Sequence, residues 1–285
     1  MKKFFALLLT GALALGVAGC GSKTDKAADA NDAANAATET EAITLKIGAS
    51  PTPHAEILNA AKEELAAKGI NLEVVEFTDY VQPNLALDNG DLDANYFQHL
   101  PYLDSFNEEH GTNLVSLGTV HYEPMGIYSK SVTDLADLPD GAKVGIPADG
   151  TNGGRALLLL ESNGLITLDP EAGISATKLD IKENPKNIEI IEMEAAQLPL
   201  SIGDLDIAVI NGNYAMQNGL KTEDALAIEA ADSLAATTYA NIIAVRSGDE
   251  TRPELVTLLE VLNSQTVADY INNTYGGAVA PTTKN

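Results

Sequence analysis

Arginine is scarce in this chain of 285 residues, which carries 41 acids but only Arg155, Arg246 and Arg252. Arg155 follows "GIPADGTNGG" and opens "RALLLL". That pattern predicts a strand, a glycine-rich loop and the start of a helix. Helix N-termini present free N–H groups to anions, and a guanidinium fork matches a carboxylate in bidentate fashion. Arg155 could bind an anionic ligand there, or pair with one of the many acids. Asn211 follows the apolar run "DIAVI" and Asn241 precedes "IIAV". Strand ends are where α/β sheets hold ligands, and an Asn amide offers a donor and an acceptor to the ammonium and carboxylate of a zwitterion. The surrounding "NGN" also reads as a turn. A third concentration is "ANYFQHLPYL", residues 94–103, with Tyr96, Phe97 and Tyr102 around His99 in a chain that is 5% aromatic and has no Trp. The histidines are His54, His99, His110 and His121. Three of them with a carboxylate could hold zinc or manganese, but no HExxH or clustered spacing supports a metal site. No G-x-S-x-G, Walker A or G-x-G-x-x-G stretch occurs either.

Elements that alternate strand and helix must position these residues. "ITLKIGAS" (43–50) alternates as a strand, "AEILNAAKEELAAKG" (55–69) as an amphipathic helix ending at Gly69, and "INLEVVEF" (70–77) as the next strand. This unit predicts a parallel sheet with crossover helices. Further strands are expected at 113–120, 125–129, 143–147, 187–193, 206–210 and 241–246, and helices at 154–164 and 252–264. One sheet with so many helices would be large, so two α/β lobes fit the length better. The extended stretches "VHYEPMGIYS" and "TTYANIIAVRS" are the expected crossings between them.

Acid groups number 41 against 17 Lys and Arg, a formal charge of −24. Such a surface repels nucleic acid. The N-terminus is read as a processing signal: "MKK" is basic, "FFALLLTGALALGV" is apolar, and "VAGC" places small residues before Cys20. This resembles a bacterial lipobox, in which the cysteine is lipidated and begins the mature chain. Cys20 is the single cysteine, so no internal disulfide can form. Residues 21–42 hold almost no large apolar side chain and are expected to be a disordered tether. Past residue 20, no apolar run reaches the roughly 18–20 residues that span a bilayer.

Several stretches taken in order are similar to the methionine-binding lipoproteins of ABC importers, the MetQ/NlpA-like substrate-binding proteins. They are "SPTPHAEIL", "DYVQPNLALDNGDLDANYFQHLPYL", "EPMGIYSK", "GTNGGRALLLLESNGLI", "ENPKNIEIIEMEAAQLP", "AVINGNYAMQNGL", "YANIIAVR" and "GGAV". The resemblance implies a two-lobed, periplasmic-binding-protein-like α/β fold with two crossings and the ligand in the cleft. It implies an aromatic box of Tyr80, Phe97 and Tyr102 with His99 beside it. Arg155 would hold the ligand carboxylate with Asn152 nearby, and Asn211 and Asn241 would fix the amino and carboxylate groups. A thioether is apolar and polarizable, and sulfur–aromatic contacts contribute about 0.3–1.5 kcal/mol each. One departure is the loop before the arginine, often "PNDPTN" in the family and "PADGTN" here, where Gly150 makes the loop freer. The expected divisions are a signal peptide at 1–19, lipidated Cys20 with a tether to 42, one lobe from 43–124 with 241–285, and a second from 125–240. The implied protein is not an enzyme and needs no cofactor or resident metal. Its partners are L-methionine or a close derivative, an ABC permease with its ATPase, and the membrane through its lipid, on the extracytoplasmic face. The competing readings are a zinc or manganese lipoprotein using His54, His99 and His121, and an adhesin or signalling lipoprotein that retains the fold.

Overall fold

Period-2 and period-3.6 patterns set the first unit. Strand β1 (Ile43–Ala49) buries Leu45 and Ile47, and helix α1 (Glu56–Ala67) buries Ile57, Leu58, Ala61 and Leu65 along one stripe. Gly69 then reverses the chain at φ 79°, where a side chain would be strained. Strand β2 (Ile70–Glu76) lies parallel to β1, as the pattern predicts. The computed structural model describes residues 42–230 and 234–282. The signal segment, Cys20 and all but the last residue of the tether lie outside the described residues.

Helix α2 (Gln82–Asp88), strand β3 (Ala94–His99), helix α3 (Leu100–His110) and strand β4 (Leu114–Tyr122) follow. Next come β5 (Gly126–Tyr128), β6 (Lys143–Pro147), α4 (Gly150–Ser162), β7 (Thr167–Leu168), β8 (Ile181–Glu183) and β9 (Glu189–Met193). The chain continues through α5 (Leu198–Ser201), β10 (Ile207–Ile210), α6 (Gly212–Gln217), β11 (Ala227–Ile228) and α7 (Leu234–Thr238). It closes with β12 (Asn241–Arg246), α8 (Pro253–Leu262), α9 (Gln265–Tyr275) and β13 (Ala280–Pro281).

Two main sheets result, in one mixed α/β fold with two lobes. The six-stranded sheet runs β13-β4-β12-β3-β1-β2 and the five-stranded sheet β11-β5-β10-β6-β9. Each has a parallel portion, β2–β1–β3 and β10–β6–β9, extended by antiparallel strands. The chain leaves the first sheet after Tyr122, enters the second at Gly126, and returns between Ile228 and Asn241. Leu45, Ile47, Leu58, Leu255, Leu258 and Ile271 pack one core, and Ile127, Val144, Ile146, Leu157, Leu160 and Val209 another. No helix among the described residues is long and apolar enough to cross a membrane.

Two expectations are corrected. The helix carrying Arg155 begins at Gly150, not at residue 154, so Arg155 stands in its second turn. The glycines before it are helical because they pack tightly. A Cβ on Gly153 would lie 2.9 Å from the Pro147 carbonyl oxygen, and one on Gly154 2.4 Å from that of Ile174. Gly150 is likewise the first helical residue, not part of a free loop, and Asp149 caps it by accepting from the Asn152 N–H. At "NGN", Asn211 is the residue before α6, so the sequence there starts a helix instead of a simple turn.

Candidate functional site

The ends of β3, β4, β10 and β12 converge with the first turns of α4. There they surround one small cavity. Tyr80, Phe97, His99, Tyr102, Asn152, Arg155, Asn211 and Asn241 all line it. Gln98, Glu123, Gly212 and Asn213, which carried no distinctive sequence signal, complete the wall.

A β-bulge aims the rings. β12 pairs Ile242 with Gln98 and Ile243 with Tyr96, so Phe97 is the extra residue on β3. Tyr96 faces the core, wholly buried, while Phe97 meets Tyr80 at 5.7 Å and Tyr102 at 6.1 Å between ring centroids. Tyr80 also lies 5.7 Å from Tyr102 and 4.8 Å from Tyr214, a ring the sequence reading missed. The Tyr80 O–H donates to Asn213 Oδ1 at 2.6 Å, and the Tyr214 O–H donates to the Thr78 carbonyl at 3.2 Å. These bonds cross the cleft and hold its two walls together. Burial pushes the Tyr80 hydroxyl well above its ordinary pKa, so it remains a donor.

A second network fixes the amides. The Asn152 amide donates to both Asp149 oxygens, at 2.9 and 3.1 Å, which turns its Oδ1 into the cleft. That oxygen accepts from Asn211 Nδ2 at 2.7 Å and from His99 Nε2 at 3.2 Å. His99 Nδ1 accepts from the Tyr102 N–H and caps α3, so its proton must sit on Nε2. Burial, then the nearby Arg155, pulls the His99 pKa down to about 3. With its Nδ2 committed, Asn211 presents Oδ1 with no partner. Asn213, accepting through Oδ1, presents an unpartnered Nδ2. One wall thus offers a buried free acceptor and a buried free donor, which polar interiors rarely leave unmatched.

Arg155 is less free than its sequence position suggests. Its Nε donates to Glu229 Oε1 at 2.7 Å and its Nη2 to Glu229 Oε2 at 2.5 Å, with a further 2.8 Å bond to the Glu123 carbonyl. The guanidinium also lies 4.5 Å from the Tyr239 ring centroid. Burial pulls its pKa down, but the charge and hydrogen bonds of Glu229 outweigh this and hold it above the ordinary value. Both readings from the sequence therefore meet in one residue: it lines the cavity and it is paired. These three bonds use Nε and Nη2 and leave Nη1 out.

The histidines sort differently from the set that the competing metal reading would use. His54 and His121 gather with Glu123, their ligand atoms all within 4.8 Å of one another, and His99 is not in that group. It stands on the Asn152 side because it ends β3 and caps α3. His121 Nε2 donates to Glu123 Oε1 at 2.7 Å while its Nδ1 meets the Tyr96 hydroxyl. His54 Nε2 lies 3.3 Å from the same Glu123 oxygen and 3.1 Å from Asn241 Oδ1. Burial pulls His54 down to about 4 and His121 to about 3, so both are neutral donors.

A two-lobed α/β body with one walled cleft of rings and amides is the architecture of a substrate-binding protein. The chain belongs to the NlpA lipoprotein family, whose model matches residues 45–283. It is 41% identical over 286 residues to the methionine-binding lipoprotein MetQ of Bacillus subtilis, covering 99% of each chain. Among solved structures, a lipoprotein from Ruminococcus gnavus is 52% identical, with a TM-score of 0.83 over 84% of this chain and 99% of that one. A nutrient-binding protein from Burkholderia cenocepacia bound to methionine is 44% identical, with a TM-score of 0.80 over 84% of this chain and 100% of that one.

Proposed function

We propose that this chain is the extracytoplasmic binding lipoprotein of an ABC importer. It holds L-methionine or a close derivative between its lobes and delivers it to the permease and its ATPase. It performs no catalysis. The observation that carries the reading is one cavity that joins a ring box to an unpartnered buried acceptor, Asn211 Oδ1, and an unpartnered buried donor, Asn213 Nδ2. An amino acid supplies the complements of both. The thioether lies among Tyr80, Phe97 and Tyr102, near His99. The carboxylate takes Arg155 Nη1 and the amides near Asn152, and Asn211 and Asn241 orient the head group. We take 43–124 with 241–285 as one lobe and 125–240 as the other, in line with the strand membership of the two sheets. Lipid on Cys20 and the tether hold the body to the outer face of the membrane.

Titration calorimetry with methionine, leucine and glycyl-methionine on the delipidated protein tests this. One-to-one binding of methionine, tighter than leucine by about 1–3 kcal/mol, is expected. A methionine affinity no higher than that for leucine would remove the ligand assignment.

A further inference from the structure

Glu123 is a buried carboxylate on the wall of the cavity, 5% exposed, and its hydrogen bonds all come from neutral groups. His121 Nε2 donates to its Oε1 at 2.7 Å, and His54 Nε2 lies 3.3 Å from the same oxygen. Arg155 donates to the Glu123 carbonyl, not to its side chain, and spends its bidentate face on Glu229. Among the described residues no Lys or Arg forms an ion pair with Glu123. A buried charge is costly unless it meets an opposite one. The site is also built around it. A Cβ on Gly212 would lie 2.9 Å from Glu123 Cβ and 3.0 Å from Oε2, so only glycine lets α6 approach this closely. The clamp continues inward, since the Tyr96 hydroxyl fixes the far nitrogen of His121 and Asn241 bridges to His54.

We infer that Glu123 is the residue that selects ligands carrying a charged α-amino group, and that His54 and His121 are positioning residues that aim its carboxylate. The ligand ammonium supplies the cation that the carboxylate lacks. Asn211 Oδ1, unpartnered on the same cavity wall, accepts a second N–H. This inference rests on the reading of the chain as an amino-acid binder.

The test compares L-methionine with 4-(methylthio)butanoate, the same molecule without its amino group, by calorimetry. The wild-type protein should prefer methionine by about 30-fold or more, and Glu123→Gln should lose about that factor for methionine alone. His121→Phe should cost methionine about tenfold, again sparing the des-amino acid, while His121→Gln, which keeps an N–H donor, recovers most of it. Equal affinity of the wild type for both ligands overturns the inference even if Glu123→Gln does not fold. So does an equal loss of both ligands in Glu123→Gln. Stoichiometric zinc uptake abolished by His121→Phe would also overturn it, by making the cluster a metal centre. Wild-type protein that binds neither compound refutes the amino-acid reading itself, and the inference falls with it.

Discussion

Arg155→Ala should destabilise the fold as well as weaken binding. Arg155 and Glu229 are 4% and 8% exposed, and two bonds of 2.7 and 2.5 Å join them. Glu229 Oε2 also accepts from the Tyr122 hydroxyl and the Met125 N–H, both at 2.8 Å. Removing the arginine leaves a buried carboxylate with two donors and no cation. Breaking one side of a buried pair costs about 3–5 kcal/mol, and loss of the contact with Tyr239 adds roughly 0.5–2 kcal/mol. A domain is stable by only about 5–15 kcal/mol, so the variant should be marginal. Glu229→Gln removes the stranded charge, so Arg155→Ala/Glu229→Gln should be more stable than the sum of its single changes by about 2 kcal/mol. Glu229→Gln alone leaves the guanidinium without a counter-ion and should strengthen its hold on a ligand carboxylate. Urea unfolding of the four proteins without ligand, followed by circular dichroism, reads the coupling. A loss below about 1 kcal/mol in Arg155→Ala, or strict additivity in the double variant, would refute this reasoning.

Phe97→Ala should cut the preference for methionine over leucine and weaken methionine by about 3 kcal/mol, the lower end for a buried Phe truncation; calorimetry with both ligands checks it, and an unchanged preference would make Phe97 packing alone. The pH dependence has a definite sign. His99 titrates near 3 in the fold and near 6.5 unfolded, so above pH 6.5 both states are neutral, and below it only the unfolded chain gains the proton. Stability therefore falls with pH from about 6.5 towards 3, by about 2 kcal/mol at pH 5 for this residue. His54 and His121 act in the same direction, while Glu123, whose pKa burial raises, acts in the opposite one. In denaturant melts at pH 7 and pH 5, His99→Asn should lose less stability than the wild type. Gly154→Ala should lower stability by about 1 kcal/mol or more despite its better helix propensity, because the methyl meets a backbone oxygen that cannot rotate away. Thermal melts decide that sign. Cys20→Ser should move the protein from the membrane to the soluble fraction on fractionation, since stable anchoring needs the acyl chains this cysteine would carry.

The regular units were legible because their apolar periods are clean, as in β1, α1 and β2. Strand β3 was not, although it is central to its sheet. "ANYFQH" lacks the branched residues of a buried strand, and its polar members are satisfied across the fold, Asn95 and Gln98 by Asn84. The bulge at Phe97 also breaks the period-2 pattern. The start of α4 was misplaced because glycines that permit close packing look like glycines that permit a turn. Glu123 and Glu229 could not be told from the other acids by local sequence. Arg155 and Glu229 are 74 residues apart, and only the fold pairs them. The one local hint was "HYEPMG", an acid set between a histidine and a proline in an otherwise apolar crossing.

A crystal structure of the protein grown with L-methionine tests the central claim most directly. The account predicts methionine in the cavity between the lobes, its sulfur among Tyr80, Phe97 and Tyr102, its ammonium on Glu123 and Asn211, and its carboxylate towards Arg155. Methionine in the separate cavity beside Leu158 and Ile174, or a cleft that stays empty at saturating ligand, would contradict it.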